Sequence, residues 1–120
     1  MTRINCIPPE ELTDKHLVAE YRELPRIFNL ARTGDDIPDS YRLGAGHVKF
    51  FYNKLSYCIN RLDSLCIEMR RRGFKCNFDA EFYRVLYQQK LMSWDLANDW
   101  TPTEEAMQLN RQRIAERLGV

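Results

Sequence analysis

The feature that most constrains the fold is a long series of apolar residues in the middle of the chain. They recur at spacings of three and four, which places them on one face of an α-helix. The members are Val48, Phe51, Leu55, Ile59, Leu62, Cys66 and Met69. The pattern predicts a helix over residues 43–72 that opens in Leu43-Gly44-Ala45-Gly46-His47 and stops at Gly73, a residue suited to helix termination.

A second apolar stripe predicts a helix over residues 10–31. Its members are Leu17, Tyr21, Leu24, Phe28 and Ala31. Pro25 lies inside this stripe and lacks the amide hydrogen that would bond the carbonyl of Tyr21, so we expect a kink there.

The remaining segments also favour helices. Residues 79–89 predict a short helix with Phe82, Val85 and Leu86 facing inward. Thr101-Pro102-Thr103-Glu104 predicts a capping box, with Thr101 as the N-cap of a helix that ends near Leu118. We find no alternating strand pattern. We therefore expect an all-α fold, a compact helical bundle forming a single domain over residues 1–120, with its first helix kinked at Pro25.

Cysteine and charge usage narrow the functional classes. The chain has four cysteines without a Cys-x-x-Cys motif and only two histidines, His16 and His47, which argues against a zinc site. We expect structural, reduced thiols, which agree with a cytoplasmic protein, and no segment has the pattern of a signal peptide or a membrane span. We also expect a monomer. The formal net charge is only +1, so binding to nucleic acid would depend on local basic patches.

One such patch is predicted on the back of the first helix. On a helical wheel, Lys15, Arg22 and Arg26 fall opposite the apolar stripe, together with Glu23 and the small side chain of Ala19. Basic side chains at this spacing can hold successive phosphates of a nucleic acid. The alternative interpretation is an ordinary solvated helix face.

The N-terminus offers a possible nucleophile. Thr2 is small enough for Met1 normally to be removed, which would expose an α-amine. Such an amine has a reference pKa of about 7.7–8.0, well below the value of roughly 10.4 for lysine. More of it is therefore neutral near pH 7, and a neutral amine can attack an electrophilic carbon to form an imine.

Three blocks of the sequence carry a family resemblance. They are Met1-Thr2-Arg3-Ile4-Asn5, Ala19-Glu20-Tyr21-Arg22-Glu23-Leu24-Pro25-Arg26, and Leu43-Gly44-Ala45-Gly46-His47-Val48 followed by Phe50-Phe51-Tyr52. On these blocks the chain resembles the phage pyrimidine-dimer DNA glycosylases of the endonuclease V type. The resemblance is dense over residues 1–28 and 43–55 and thinner beyond them.

The resemblance implies a DNA-repair enzyme that acts on cyclobutane pyrimidine dimers in duplex DNA. It implies that the α-amine of Thr2 attacks the deoxyribose C1′ and forms an imine, and that Glu23 stabilises the cationic sugar and assists the β-elimination that cuts the strand. It also implies that Arg3, Arg22 and Arg26 contact phosphates, with Lys15 as a further DNA-binding residue. Neither a metal nor an organic cofactor is implied.

Two departures keep other interpretations open. Lys15 stands where well-known family members have a glutamine, and the sequence lacks their Trp/Tyr-rich tail, for which Trp94, Trp100 and Tyr87 are possible substitutes. Aromatic residues in such a setting are more often part of the core. The alternatives are an abasic-site lyase, a glycosylase for another lesion, a non-catalytic DNA-binding module, and a structural helical protein without a DNA role.

Overall fold

The computed structural model describes residues 4–119, so Thr2 and Arg3 lie outside the described residues. The helices are α1 Asp14–Glu23, α2 Pro25–Leu30, α3 Leu55–Arg71, α4 Ala80–Leu86, α5 Gln88–Leu91 and α6 Glu104–Arg117. Short 3-10 turns occupy Pro9–Glu11 and Val48–Phe51. The described chain contains no strand, and its one isolated β-bridge joins Lys54 to Ala97. The predicted all-α fold is confirmed.

The first predicted helix begins later than expected and is divided at the proline. Thr13 is the N-cap of α1, because its side chain accepts a hydrogen bond from the backbone N–H of His16. Residues 10–12 therefore do not belong to this helix. The predicted kink at Pro25 appears as a break after Leu24, and Pro25 starts α2, where its missing N–H has no cost.

The second predicted helix is correct only in its C-terminal part. Gly44 and Gly46 have φ angles of +83° and +80°, in a region that no α-helix uses, so residues 43–47 form a turn instead. A 3-10 turn follows, and α3 begins at Leu55. Its end agrees with the prediction, because Gly73 adopts a φ of +86° beyond the last helical turn.

The later helices also differ from the sequence prediction. Residues 79–89 do not form one helix, because the path breaks at Tyr87 between α4 and α5. Phe82, Val85 and Leu86 were expected to face inward but are 43–68% exposed. The N-cap of α6 is Thr103 rather than Thr101, since the Thr103 hydroxyl accepts from the N–H of Ala106 at 3.0 Å.

Helix α3 lies at the centre of the molecule. It packs against α1, α4, α5 and the first 3-10 turn. Side chains from nearly every part of the N-terminal two-thirds of the chain are fully buried. The largest apolar ones are Ile4, Ile7, Leu17, Leu24, Ile27, Phe28, Phe50, Phe51, Leu55, Leu62 and Leu65. Within the described residues, no helix is long and apolar enough to span a bilayer.

The basic C-terminal end of α3 is tied into the fold by Glu68. This buried carboxylate accepts hydrogen bonds from Arg71 and Arg72. These bonds hold the pKa of Glu68 at about 2, below its ordinary value of 4.5. Arg72 also donates to Asp14 and to the carbonyl of Leu12. Arg72 thus holds the end of α3 against the segment before α1 and is not a free surface cation.

The cysteines correct one expectation. Cys66 and Cys76 form a disulfide that joins α3 to the segment before α4, so the expectation of four reduced thiols is wrong. Cys6 and Cys58 are free and buried. Burial raises the pKa of the Cys6 thiol to about 11 and raises that of Cys58 further, so neither is a thiolate nucleophile near neutral pH.

Candidate functional site

Residues 4–7 form an irregular segment that side chains from distant parts of the chain hold in place. The Ile4 N–H donates to Nε2 of His47 at 2.8 Å, and the Ile4 carbonyl accepts from the Tyr41 hydroxyl at 3.2 Å. The Asn5 carbonyl accepts from the Tyr57 hydroxyl at 3.2 Å. We call these residues the N-terminal anchor. The anchor leads directly back to the amino terminus of the chain.

A buried polar cluster fixes the other side of the anchor. Arg61 on α3 donates to both carboxylate oxygens of Glu20 at 2.7 and 3.1 Å. Asn5 donates to Glu20 at 2.7 Å and accepts from Asn110 on α6 at 2.7 Å. Although burial alone lowers the pKa of Arg61, the Glu20 carboxylate raises it above its ordinary value. The cluster therefore joins the anchor to α1, α3 and α6 by charge-assisted bonds.

Asn110 completes the connection. Its Oδ1 accepts from the backbone N–H of Cys6 at 2.7 Å and from that of Ile7 at 3.3 Å. The Ile7 carbonyl in turn accepts from Arg61 at 2.6 Å. Buried backbone groups of the anchor thus find partners without forming a helix or a strand, which accounts for an irregular segment inside a helical protein.

A pocket opens beside this cluster, between α1 and the C-terminal part of α6. It has a volume of about 680 Å³. The lining comes from the anchor, from one face of α1 and from α6: Asn5, Thr13, Lys15, His16, Ala19, Glu20, Arg22, Glu23, Arg113, Ile114, Arg117 and Leu118. Four cations against two carboxylates make this a positively charged pocket that suits an anionic ligand.

Glu23 is the carboxylate of the pocket that is not bonded within the buried cluster. Its side chain is 26% exposed and lies 3.0 Å from Nη1 of Arg26, whose own side chain is 72% exposed. Glu20, one helical turn earlier, is fully buried and fully bonded. Glu23 is thus the accessible acidic group in a basic setting, the arrangement expected of a group that stabilises positive charge or moves protons.

Two further groups define the electrostatics of the pocket. His16 accepts or donates a hydrogen bond with the Thr13 hydroxyl at 2.6 Å. Burial, then the charges of Arg117 and Lys15, lower the pKa of His16 below its ordinary value, so this imidazole is neutral near pH 7. Nε of Arg113 is buried and finds no hydrogen-bond partner among residues 4–119, while Nη1 of the same side chain lies 3.7 Å from Glu116.

The structure brings most of the predicted site residues together. Lys15, Arg22 and Glu23 line the pocket, and Arg26 contacts Glu23 at its edge. Thr2 and Arg3 lie outside the described residues. Within residues 4–119 no group of three or more His, Cys, Asp or Glu side chains is arranged to hold a metal ion.

Sequence reasoning missed the second wall of the pocket. Arg113 and Arg117 are four residues apart on α6 and share a face with Ile114. A helical wheel of α6 would have placed these two cations together, but it could not have indicated that they face α1. The buried pair of Glu20 and Arg61 was missed as well, because nothing in their local pattern links positions 41 residues apart.

The aromatic residues Trp94, Trp100 and Tyr87 have different environments. Trp100 packs against Tyr41, Phe50 and Tyr57 and belongs to the core region. Tyr87 stacks on Phe28. Trp94 is 85% exposed and is the candidate that remains available at the surface.

Comparison with known families adds an independent observation. Residues 1–82 match the family model described as pyrimidine dimer DNA glycosylase. The matched range covers the anchor, α1, α2 and α3, and so it includes Lys15, Arg22 and Glu23. The pocket wall formed by α6 lies beyond it.

Proposed function

Because the chain belongs to the pyrimidine dimer DNA glycosylase family, we propose that it excises UV-induced cyclobutane pyrimidine dimers from duplex DNA and then cuts the strand as an abasic-site lyase. The observation that carries this proposal is the pocket itself. It combines an accessible carboxylate, Glu23, with cations on two helices, beside an anchored segment that leads to the amino terminus. We further propose a single functional domain and a monomer in the cytoplasm of a bacterium or a phage-infected host.

The proposed nucleophile is the α-amine of Thr2. Its nitrogen lone pair forms a bond to the deoxyribose C1′ as the C1′–N glycosidic bond breaks, and the bonding pair leaves with the base, which takes up a proton. Loss of a proton from the nitrogen and opening of the C1′–O4′ bond, with protonation of O4′, give the imine. Removal of a C2′ proton then expels the 3′ phosphate and cuts the strand.

Glu23 is proposed to act at two points of this sequence. Its carboxylate stabilises the positive charge that develops on the sugar as the base departs. The same group then takes the C2′ proton in the β-elimination. Its position on α1, one turn beyond the buried Glu20, supports this role because the helix beneath it is held rigidly by the bonds from Arg61.

The cations are proposed to hold the DNA backbone on either side of the lesion. Lys15, Arg22 and Arg26 on α1–α2 would contact one set of phosphates, with Arg3 next to the nucleophile. Arg113 and Arg117 on α6 would contact another set across the pocket. The excess of cations over carboxylates in the lining supports an anionic ligand. Holding a distorted duplex lowers the cost of extruding a base, which is least at damaged steps.

Other nucleophiles are less well supported. The free thiols of Cys6 and Cys58 are protonated near neutral pH. Lys15 is the one lysine among the described lining residues. Lysine amines as a class have a reference pKa of roughly 10.4, against about 7.7–8.0 for an α-amine. An α-amine has the better balance of neutral fraction and nucleophilicity.

The test is borohydride trapping on two duplexes, one with a pyrimidine dimer and one with an abasic site. Borohydride reduces an imine to a stable amine, so an imine-forming protein becomes covalently linked to DNA. Mass spectrometry of the digested adduct should find the sugar on the peptide that begins with Thr2, for both duplexes. Acetylation of the amino terminus should abolish trapping, whereas Thr2→Ser should retain it.

The alternatives predict other outcomes of the same experiment. Trapping on the abasic duplex alone would indicate a lyase or a glycosylase for another lesion. Salt-sensitive binding without trapping would indicate a DNA-binding module, and absence of binding a structural protein. A label on Lys15 with an unmodified terminus would overturn the assignment of Thr2.

A further inference from the structure

His47 lies in the turn that precedes the second 3-10 turn and is 3% exposed. Its two ring nitrogens have different partners. Nδ1 is 2.7 Å from the carbonyl oxygen of Arg42, and Nε2 is 2.8 Å from the backbone nitrogen of Ile4. A carbonyl can only accept and a backbone N–H can only donate. The imidazole is therefore neutral, with its hydrogen on Nδ1 and its lone pair on Nε2.

The surroundings keep the ring in this orientation. Tyr41 meets it edge-on with ring centroids 5.3 Å apart, and Phe51 does so at 5.9 Å. Gly44 and Gly46, both at positive φ, form the turn that carries His47 to the anchor. A buried ring with both nitrogens bonded and aromatic neighbours on two sides has little freedom to rotate.

We propose that His47 is a positioning residue for the amino-terminal nucleophile. The inference rests on the proposed function, in which the amine of Thr2 attacks C1′. Of the anchor bonds described, the one from Ile4 N–H to His47 is the nearest to Thr2 along the chain. His47 fixes the Ile4 amide, which lies two residues after Thr2 in the sequence, and this restraint is the proposed source of its positioning effect.

The rest of the anchor explains why this role can be separated from folding. Without the bond to His47, residues 5–7 still have their bonds to Tyr57, Asn110 and Arg61. The segment therefore stays docked while its first residue gains freedom. Misplacing a reacting group by about 1 Å can reduce a rate by about 10²-fold, because the advantage of pre-orientation is lost.

Two substitutions separate the two nitrogens of the ring. In His47→Asn the side-chain amide takes the place of Nδ1, so it can donate to the Arg42 carbonyl but cannot reach Ile4. In His47→Gln the longer side chain brings an amide oxygen to the place of Nε2, where it can accept from the Ile4 N–H. We expect the Asn variant to lose about 10²-fold in kcat and in the rate of imine trapping. Its KM and its affinity for damaged DNA should stay within about threefold, and the Gln variant should recover most of the rate.

The unmodified protein supplies a second measurement, which does not depend on how the variants fold. The ¹⁵N chemical shifts of His47 should report a neutral ring protonated at Nδ1, and the Ile4 amide should exchange slowly with solvent. A ring protonated at Nε2, an Asn variant as fast as the unmodified protein, or equal losses in the Asn and Gln variants would overturn the positioning role. Trapping through a lysine in the unmodified protein would instead overturn the proposed function, and this inference with it.

Discussion

Glu20 and Glu23 stand one turn apart on α1, in two regions with opposite properties. The Glu20 side chain has no exposed surface and receives hydrogen bonds from Arg61 and Asn5. Glu23 lies at the open side of the helix, where its described ion-pair partner is the exposed Arg26. The buried cluster around Glu20 satisfies its charges within the protein. The pocket around Glu23 holds more positive than negative charge and leaves room for a ligand.

One helix therefore serves both structure and chemistry. Bonds to α3 and the anchor fix the inward side of α1, so the outward side can carry charges that are not neutralised by the fold. A site organised in this way should lose stability when the buried charge is changed and lose activity when the exposed one is changed.

The largest expected effect is on folding. Glu20→Gln leaves the Arg61 guanidinium buried without its counter-charge, and we expect the free energy of unfolding to fall by about 3–5 kcal/mol. Urea unfolding of the purified protein measures this. Glu23→Gln is the matched control and should change the same quantity by no more than about 0.5 kcal/mol. Equal stability of the two variants would show that burial does not separate these carboxylates.

The next effect is on turnover. Glu23→Gln should reduce glycosylase kcat by about 10²–10³-fold, because the stabilisation of the cationic sugar is lost. Binding to a dimer-containing duplex should remain, since removing a negative charge does not weaken attraction to phosphate. Glu81→Gln, on the exposed surface of α4, is the control and should leave kcat unchanged. Near-normal turnover of the Glu23 variant would remove this residue from the mechanism.

A smaller effect concerns affinity. Arg22→Ala, Arg26→Ala and Arg117→Ala should each weaken binding to damaged duplex and lower the slope of log K against log salt by about one unit. Arg84→Ala, an exposed cation on α4, is the control that should leave the slope unchanged. If the Arg22→Ala and Arg117→Ala variants both bind DNA as tightly as the unmodified protein at every salt concentration, the pocket is an ordinary solvated surface.

The smallest effect involves Glu68, whose environment lies between those of the other two carboxylates. Its pKa in the folded protein is about 2, below the ordinary 4.5, so its contribution to stability is complete above pH 4.5 and is lost as the pH falls toward 2. Glu68→Gln should therefore flatten the stability curve in that acidic window. Thermal unfolding between pH 2 and 5 tests this, and an unchanged curve would mean that the ion pairs with Arg71 and Arg72 contribute nothing.

The sequence predicted best what local periodicity determines. The wheel of the first helix brought Lys15, Arg22 and Glu23 to one face, and these residues do line the pocket. The helix prediction was wrong at residues 43–54. The apolar spacing continues there, but Gly44 and Gly46 have backbone angles that no α-helix uses. Apolar spacing also suggested an inward face for α4, although Val85 is 68% exposed.

The other part of the site depends on contacts that no local pattern contains. His47 meets Ile4 across 43 residues, and Asn110 meets Asn5 across 105. The motif resemblance pointed to the first half of the site, yet Arg113 and Arg117 belong to a helix outside the family match. Single-sequence reasoning had no means of pairing these positions, because each is unremarkable within its own helix.

The bonds between Asn110 and the anchor also set an order of events during synthesis. The ribosome releases residues 4–7 first, but their partner on α6 emerges only after more than a hundred further residues. Until then residues 5–7 lack the hydrogen bonds that Asn110 supplies to them. The pocket is therefore completed only when the last of the described helices has left the ribosome.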